Sequence, residues 1–166
     1  MHTPRLLAAI ATLVAAGTAH ADRASEIHAL GLSPQGEAAV ATLLDVHVFG
    51  GWAVGAAASP TPGVKALREL VKEPHAADAL AYLGAHATLE GQLMALAGLH
   101  DVDHAAFDKA VPAYRSIKLE VRVWETGCKG SEKRPVAAVI DAPTRGAFDI
   151  ASGEYSRMFR ERKKTP

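Results

Sequence analysis

Two imidazoles and two carboxylates fall within five residues at His100-Asp101-Val102-Asp103-His104. Imidazole nitrogen and carboxylate oxygen are the donors that hold zinc and related divalent ions. His75 and His86 lie upstream and could complete a ligand set from a neighbouring helix. On that reading the chain is a divalent-metal-binding protein or a metal-dependent enzyme. The same five residues also read as the turn between two helices. Asp103 is then an N-cap, and Asp101 closes the turn. The chain holds no HExxH and no paired CxxC, the spacings that mark a built metal site. The turn reading is therefore preferred. The sequence assigns no catalytic, cofactor-binding or metal residue, and no cofactor is expected.

The remaining reactive residues point the same way. Cys128 is the only cysteine. It can bridge two chains, act as a reactive thiol, or pack as a small hydrophobe, and packing is the common fate of a free cysteine. Lys129 and Lys133 lie near it, but no feature brings it a histidine base. His47 falls on the apolar stripe of a predicted helix and is expected as a core or boundary side chain. Trp52 lies in a glycine-rich stretch and is expected to pack over a core edge. Gly50-Gly51 and Gly55 lack both the lysine of a phosphate loop and the dinucleotide-binding spacing. Neither a GxSxG elbow nor an SxxK pair is present, nor a spaced acid pair of the glycosidase kind.

The elements that must hold these residues are mostly helical. The chain is rich in Ala and Leu and contains no Asn. That composition favours helices and removes Asn-Gly, a strong hairpin signal. Ser33-Pro34 reads as N-cap and first helical residue, opening a helix over 34–48. Residues 49–58 have no helical stripe, and their glycines read as a loop or a close-packed backbone segment. Val64, Leu67, Leu70 and Val71 mark a second helix. Ala76, Ala79, Leu80 and Leu83 mark a third over 75–86. Thr88 caps a fourth, with Gly98 near its end, and Asp103 caps a fifth carrying Phe107, Val111 and Tyr114. Pro112 should kink or shorten that helix. From residue 117 the period becomes two: Ile117, Leu119, Val121 and Val123 alternate with charged residues as in a strand. Residues 126–130 read as a turn, 135–140 as a short helix or a returning strand, with helix preferred, and 147–162 as a last helix.

Where the protein goes is written at its start. Arg5 precedes an apolar run, Leu6 to Ala16, and Ala19-His20-Ala21 gives a small-x-small cleavage pattern. This is the layout of a secretory signal peptide, and the run is too short to span a membrane. Cleavage near Ala21 leaves 145 of the 166 residues, enough for one domain with its own core. Residues 22–32, including His28, are expected to form a flexible arm. Asp22 to Asp108 carries four basic against eleven acidic residues, a net of −7, and Lys109 to Pro166 carries thirteen against seven, a net of +6. The strong basic excess and interleaved aromatics of a nucleic-acid binder are missing. The basic tail (Arg157, Arg160, Arg162, Lys163, Lys164) suits a helix C-terminus and could touch an anionic surface weakly.

Met94-Ala-Leu-Ala-Gly-Leu-His-Asp101, with the preceding helix Ala76 to Ala87, resembles a helical hairpin of the HEAT type. Taken whole, the chain also resembles small exported bacterial proteins, a likeness that assigns no residue roles. The expected fold is mainly α: packed helical hairpins with a small extended element near residues 117–125. The expected role is that of an exported, non-catalytic protein-interaction or envelope-associated module, periplasmic or secreted. Its partner is another protein. No nucleic acid is expected, and no transmembrane segment in the mature chain.

Overall fold

The computed structural model describes residues 22–51, 54–124 and 130–141. The expected signal peptide (residues 1–21), Trp52, Cys128 and Lys129, and the expected last helix with its basic tail lie outside these residues.

The architecture is mainly helical. Residues 22–29 form α1. Then come α2 (Pro34–Leu44), β1 (Phe49–Gly50), α3 (Pro62–Leu70), α4 (Ala76–His86), α5 (Leu89–Val102) and α6 (His104–Arg115). The chain continues through β2 (Glu120–Trp124) and β3 (Ser131–Pro135) into α7 (Val136–Asp141). α2, α3, α5 and α6 each begin at a side chain that caps them. Ser33 Oγ accepts from Gly36 N at 3.1 Å, Thr61 Oγ1 from Val64 N at 3.4 Å, Thr88 Oγ1 from Gly91 N at 3.2 Å and Asp103 Oδ1 from Ala106 N at 3.0 Å. Each pairs one of the amides a helix start leaves open. Pro34 and Pro62 stand at the first helical position, where a missing N–H costs nothing.

α5 is the centre of the molecule. It touches α2, α3, α4, α6, β1 and β2. Leu93 to Gly98 is buried without a break, so the helix is enclosed on all sides rather than amphipathic. Two glycines allow the close approach. A Cβ at Gly91 would stand 2.3 Å from the Leu43 carbonyl oxygen. One at Gly98 would stand 2.6 Å from Leu80 Cδ2 and 3.0 Å from Leu67 Cδ1. Gly98 lies near the end of α5, one turn before Val102, where α3 and α4 pack against it.

The sheet is three-stranded in the order β1-β2-β3. β1 runs parallel to β2, with Phe49 opposite Val123, and β2 runs antiparallel to β3. A parallel pair needs a crossover, and here α3 to α6 supply it. Phe49, Val121 and Val123 face inward and join Leu43, Leu67, Leu80, Leu93 and Val136 in one apolar cluster. Burial of each such side chain stabilises by about 1.5–3 kcal/mol.

Several expectations are corrected. The first long helix stops at Leu44, not at residue 48. Val46, Val48 and Phe49 are β-branched or aromatic and lead the chain into β1. His47 therefore lies outside any helix, and it is exposed. The 49–58 stretch contains β1 and an antiparallel bridge between Val54 and Ser59. The extended element near 117–125 is the middle strand of a sheet. Pro135 closes β3, and the helix expected over 135–140 begins after it. α6 runs through Pro112 to Arg115. Residues 22–29, expected in a flexible arm, are helical, with Ile27 in the core and Tyr82 Oη donating to Glu26 Oε2 at 2.9 Å.

Candidate functional site

The His100–His104 cluster lies at the junction of α5 and α6. His100, Asp101 and Val102 form the last turn of α5, and His104 is the first residue of α6. Asp103 serves both helices. Its backbone N–H donates to the Leu99 carbonyl at 2.8 Å, and its carboxylate receives Ala106 N at 3.0 Å. The carboxylate is thus committed to the cap. His100 Nδ1 lies 3.2 Å from Asp101 Oδ1, and His104 Nδ1 lies 3.4 Å from the His100 carbonyl oxygen. His104 Nε2 is 3.9 Å from Asp108 Oδ2, one turn along α6.

The imidazoles belong to an aromatic group. The rings of His100 and His104 meet edge to face at 5.0 Å, His100 meets Phe107 likewise at 5.0 Å, and His104 stacks on Phe107 at 5.6 Å. Such ring pairs contribute about 0.5–1.5 kcal/mol beyond area burial. His75 and His86 have other surroundings. His75 Nδ1 lies 3.9 Å from Asp78 Oδ2, and His86 stacks on Tyr82 at 4.4 Å. Among the described residues no group of three or more His, Cys, Asp or Glu side chains is placed to hold a metal ion. Their chemistry here is capping, ring packing and local pairing.

Polar ties the sequence did not signal are the more informative ones. Glu73, in the loop between α3 and α4, reaches the start of α2. Its Oε2 accepts from Ser33 N at 3.0 Å, and its Oε1 accepts from the Ser33 hydroxyl. The hydroxyl bond, then the amide bond, hold the Glu73 carboxyl below the usual carboxylate range. The anion also faces a helix N-terminus, where the dipole favours it. Thr88 does comparable work at the other end of α2. Its hydroxyl donates to the Val46 carbonyl, and its N–H donates to the Leu44 carbonyl at 3.0 Å. Glu90 Oε1 accepts from the backbone N–H of Arg122 at 3.1 Å, joining α5 to β2. Arg115 Nε donates to Asp141 Oδ1 at 2.6 Å, joining α6 to α7. A glutamate before a proline, as at Glu73-Pro74, reads from sequence only as a helix end. Its partner is forty residues away, beyond the reach of local spacing.

Burial raises the Tyr114 hydroxyl above its ordinary pKa. Burial, then the hydrogen bond to Glu26, raises that of Tyr82. Both phenols stay protonated at neutral pH and act as packing groups. No helix among the described residues is long and apolar enough to cross a membrane. No protein-family model, curated protein or solved structure matches this chain.

Proposed function

We propose that this chain is an exported, non-catalytic module that binds another protein. The observation that supports this most directly is how the polar side chains are used. Asp103 caps α6, Glu73 holds the start of α2, Glu90 holds β2, and Asp141 holds Arg115. These carboxylates thus act as joints between elements, and the surface they fix is what another molecule would meet. The α4–α5 pair, which carries the HEAT-type resemblance, is consistent with that role, since stacked helical pairs usually present a surface to partners. Export rests on the leader-like residues 1–21.

The test is native mass spectrometry on protein recovered from the exported fraction, without reductant or added metal, paired with in-cell cross-linking. The expected species has the mass of residues 22–166, carries no metal, and gives a cross-linked adduct with a second protein. A stoichiometric metal lost in a His100→Ala/His104→Ala variant would overturn the reading, and so would the absence of any adduct.

A further inference from the structure

β2 presents two faces. Val121 and Val123 are buried, while Glu120 and Arg122 are exposed, and the half-buried Trp124 follows at the same period. Residues directly opposite in an antiparallel ladder point to the same face. Lys133 of β3 stands opposite Arg122, Ser131 opposite Trp124, and Pro135 opposite Glu120. The outward face of this ladder therefore carries two exposed cations side by side. Like charges directly opposed on a sheet destabilise it unless something neutralises them.

The structure shows where the neighbouring carboxylates go. Glu132 lies on the other face and is bonded to Arg134 Nε. Glu90 takes the backbone N–H of Arg122 rather than its guanidinium. Neither Arg122 nor Lys133 makes an ion pair among the described residues, and among the described residues of the ladder Glu120 is the carboxylate that shares their face. Lys118, just before the strand and at the same period, adds an exposed cation. Next along the face the Trp124 indole N–H is enclosed and has no hydrogen-bond partner among the described residues.

We infer that the outward face of the β2–β3 ladder, centred on Arg122 and Lys133 and flanked by Lys118, docks an acidic polypeptide segment of the partner. This deepens the module reading and rests on it. Charge complementarity selects the partner's chemistry. Carboxylates along an extended or helical segment would neutralise the opposed cations. A single small anion would gain too little from two solvated cations, whereas a polypeptide adds several such contacts at once.

The experiment uses the full chain and labelled poly-L-glutamate as probe, read by fluorescence anisotropy at low and moderate salt. The wild type is expected to bind, and more weakly as salt rises. The Arg122→Glu/Lys133→Glu variant is expected to lose about tenfold or more in affinity through changed contact and steering. An Arg122→Gln/Lys133→Gln variant, which introduces no new charge, should lose less affinity but in the same direction, with a melting temperature no lower than that of wild type because the like-charge opposition is gone. A variant with Arg160, Arg162, Lys163 and Lys164 changed to Gln separates this face from the basic tail, and it should bind like wild type. Equal binding by wild type and the Arg122→Glu/Lys133→Glu variant would overturn the proposal. So would loss confined to the tail variant, or equally tight binding of heparin or anionic vesicles through the same two residues. In-cell cross-linking keeps the two readings apart. An unchanged partner adduct in the Arg122→Glu/Lys133→Glu variant rejects this face while the module reading stands. A wild type with no adduct that still binds poly-L-glutamate through Arg122 and Lys133 rejects the module reading alone.

Discussion

At the scale of single residues, the strongest consequences come from carboxylates placed at helix starts. Replacing Asp103 with Ala removes the side-chain cap of α6, a loss of about 1 kcal/mol for a residue of this kind. In a chain of this length that lowers Tm by about 2–4 °C, measurable by thermal unfolding followed by circular dichroism. Glu73 adds a pH dependence. Its folded pKa lies below the unfolded value, so the stability it contributes is present above the unfolded carboxyl pKa of about 4.3. That stability is lost as pH falls through the lower, folded value. Glu73→Gln is therefore expected to be less stable than wild type at neutral pH. The gap should close below the folded pKa, where the wild-type carboxyl is also neutral. Urea titrations across that range check the sign, and a gap that is constant with pH would show that the charge is not what matters.

At the scale of elements, α5 sets the tightest constraint. Gly98→Ala gains up to about 1 kcal/mol of helix propensity. It also places a methyl 2.6 Å from Leu80 Cδ2, and overpacking of that kind costs about 1–3 kcal/mol. The variant is expected to be net destabilised, and trimming Leu80 to Ala should make the two changes non-additive in a double-mutant cycle. This is also where the limits of the sequence show. The caps at Ser33, Thr88 and Asp103 and the stripes of α3, α4 and α6 are local patterns, and they were legible. So was the alternation of Val121 and Val123. The β1–β2 pairing and the use of Gly98 depend on segments tens of residues apart, and no local period encodes them. The His100–His104 cluster illustrates both sides. Asp103 was readable as a cap, but the contact of both imidazoles with Phe107, one edge to face and one stacked, needed the geometry of α6 against α5.

At the scale of the whole molecule, the helices and the sheet share one core. β1 reaches β2 only after α3 to α6 have crossed over, and Phe49, Val121 and Val123 pack into the same cluster as Leu43, Leu67 and Leu93. α1 joins it through Ile27. α5 touches both helices and strands, so neither layer buries its apolar face without the other. Two-state unfolding follows from that sharing. In urea, far-UV circular dichroism reports mainly the helices, while the near-UV signal of Trp124 reports β2 in a Trp52→Phe background. The two curves are expected to coincide in midpoint and slope. Leu93→Ala, which opens a cavity in α5 and costs about 2–5 kcal/mol, should shift both midpoints equally. A sheet signal that melts first, or a Leu93→Ala variant that moves only the helical signal, would show two folding units and place the β2–β3 face on a separable part of the chain.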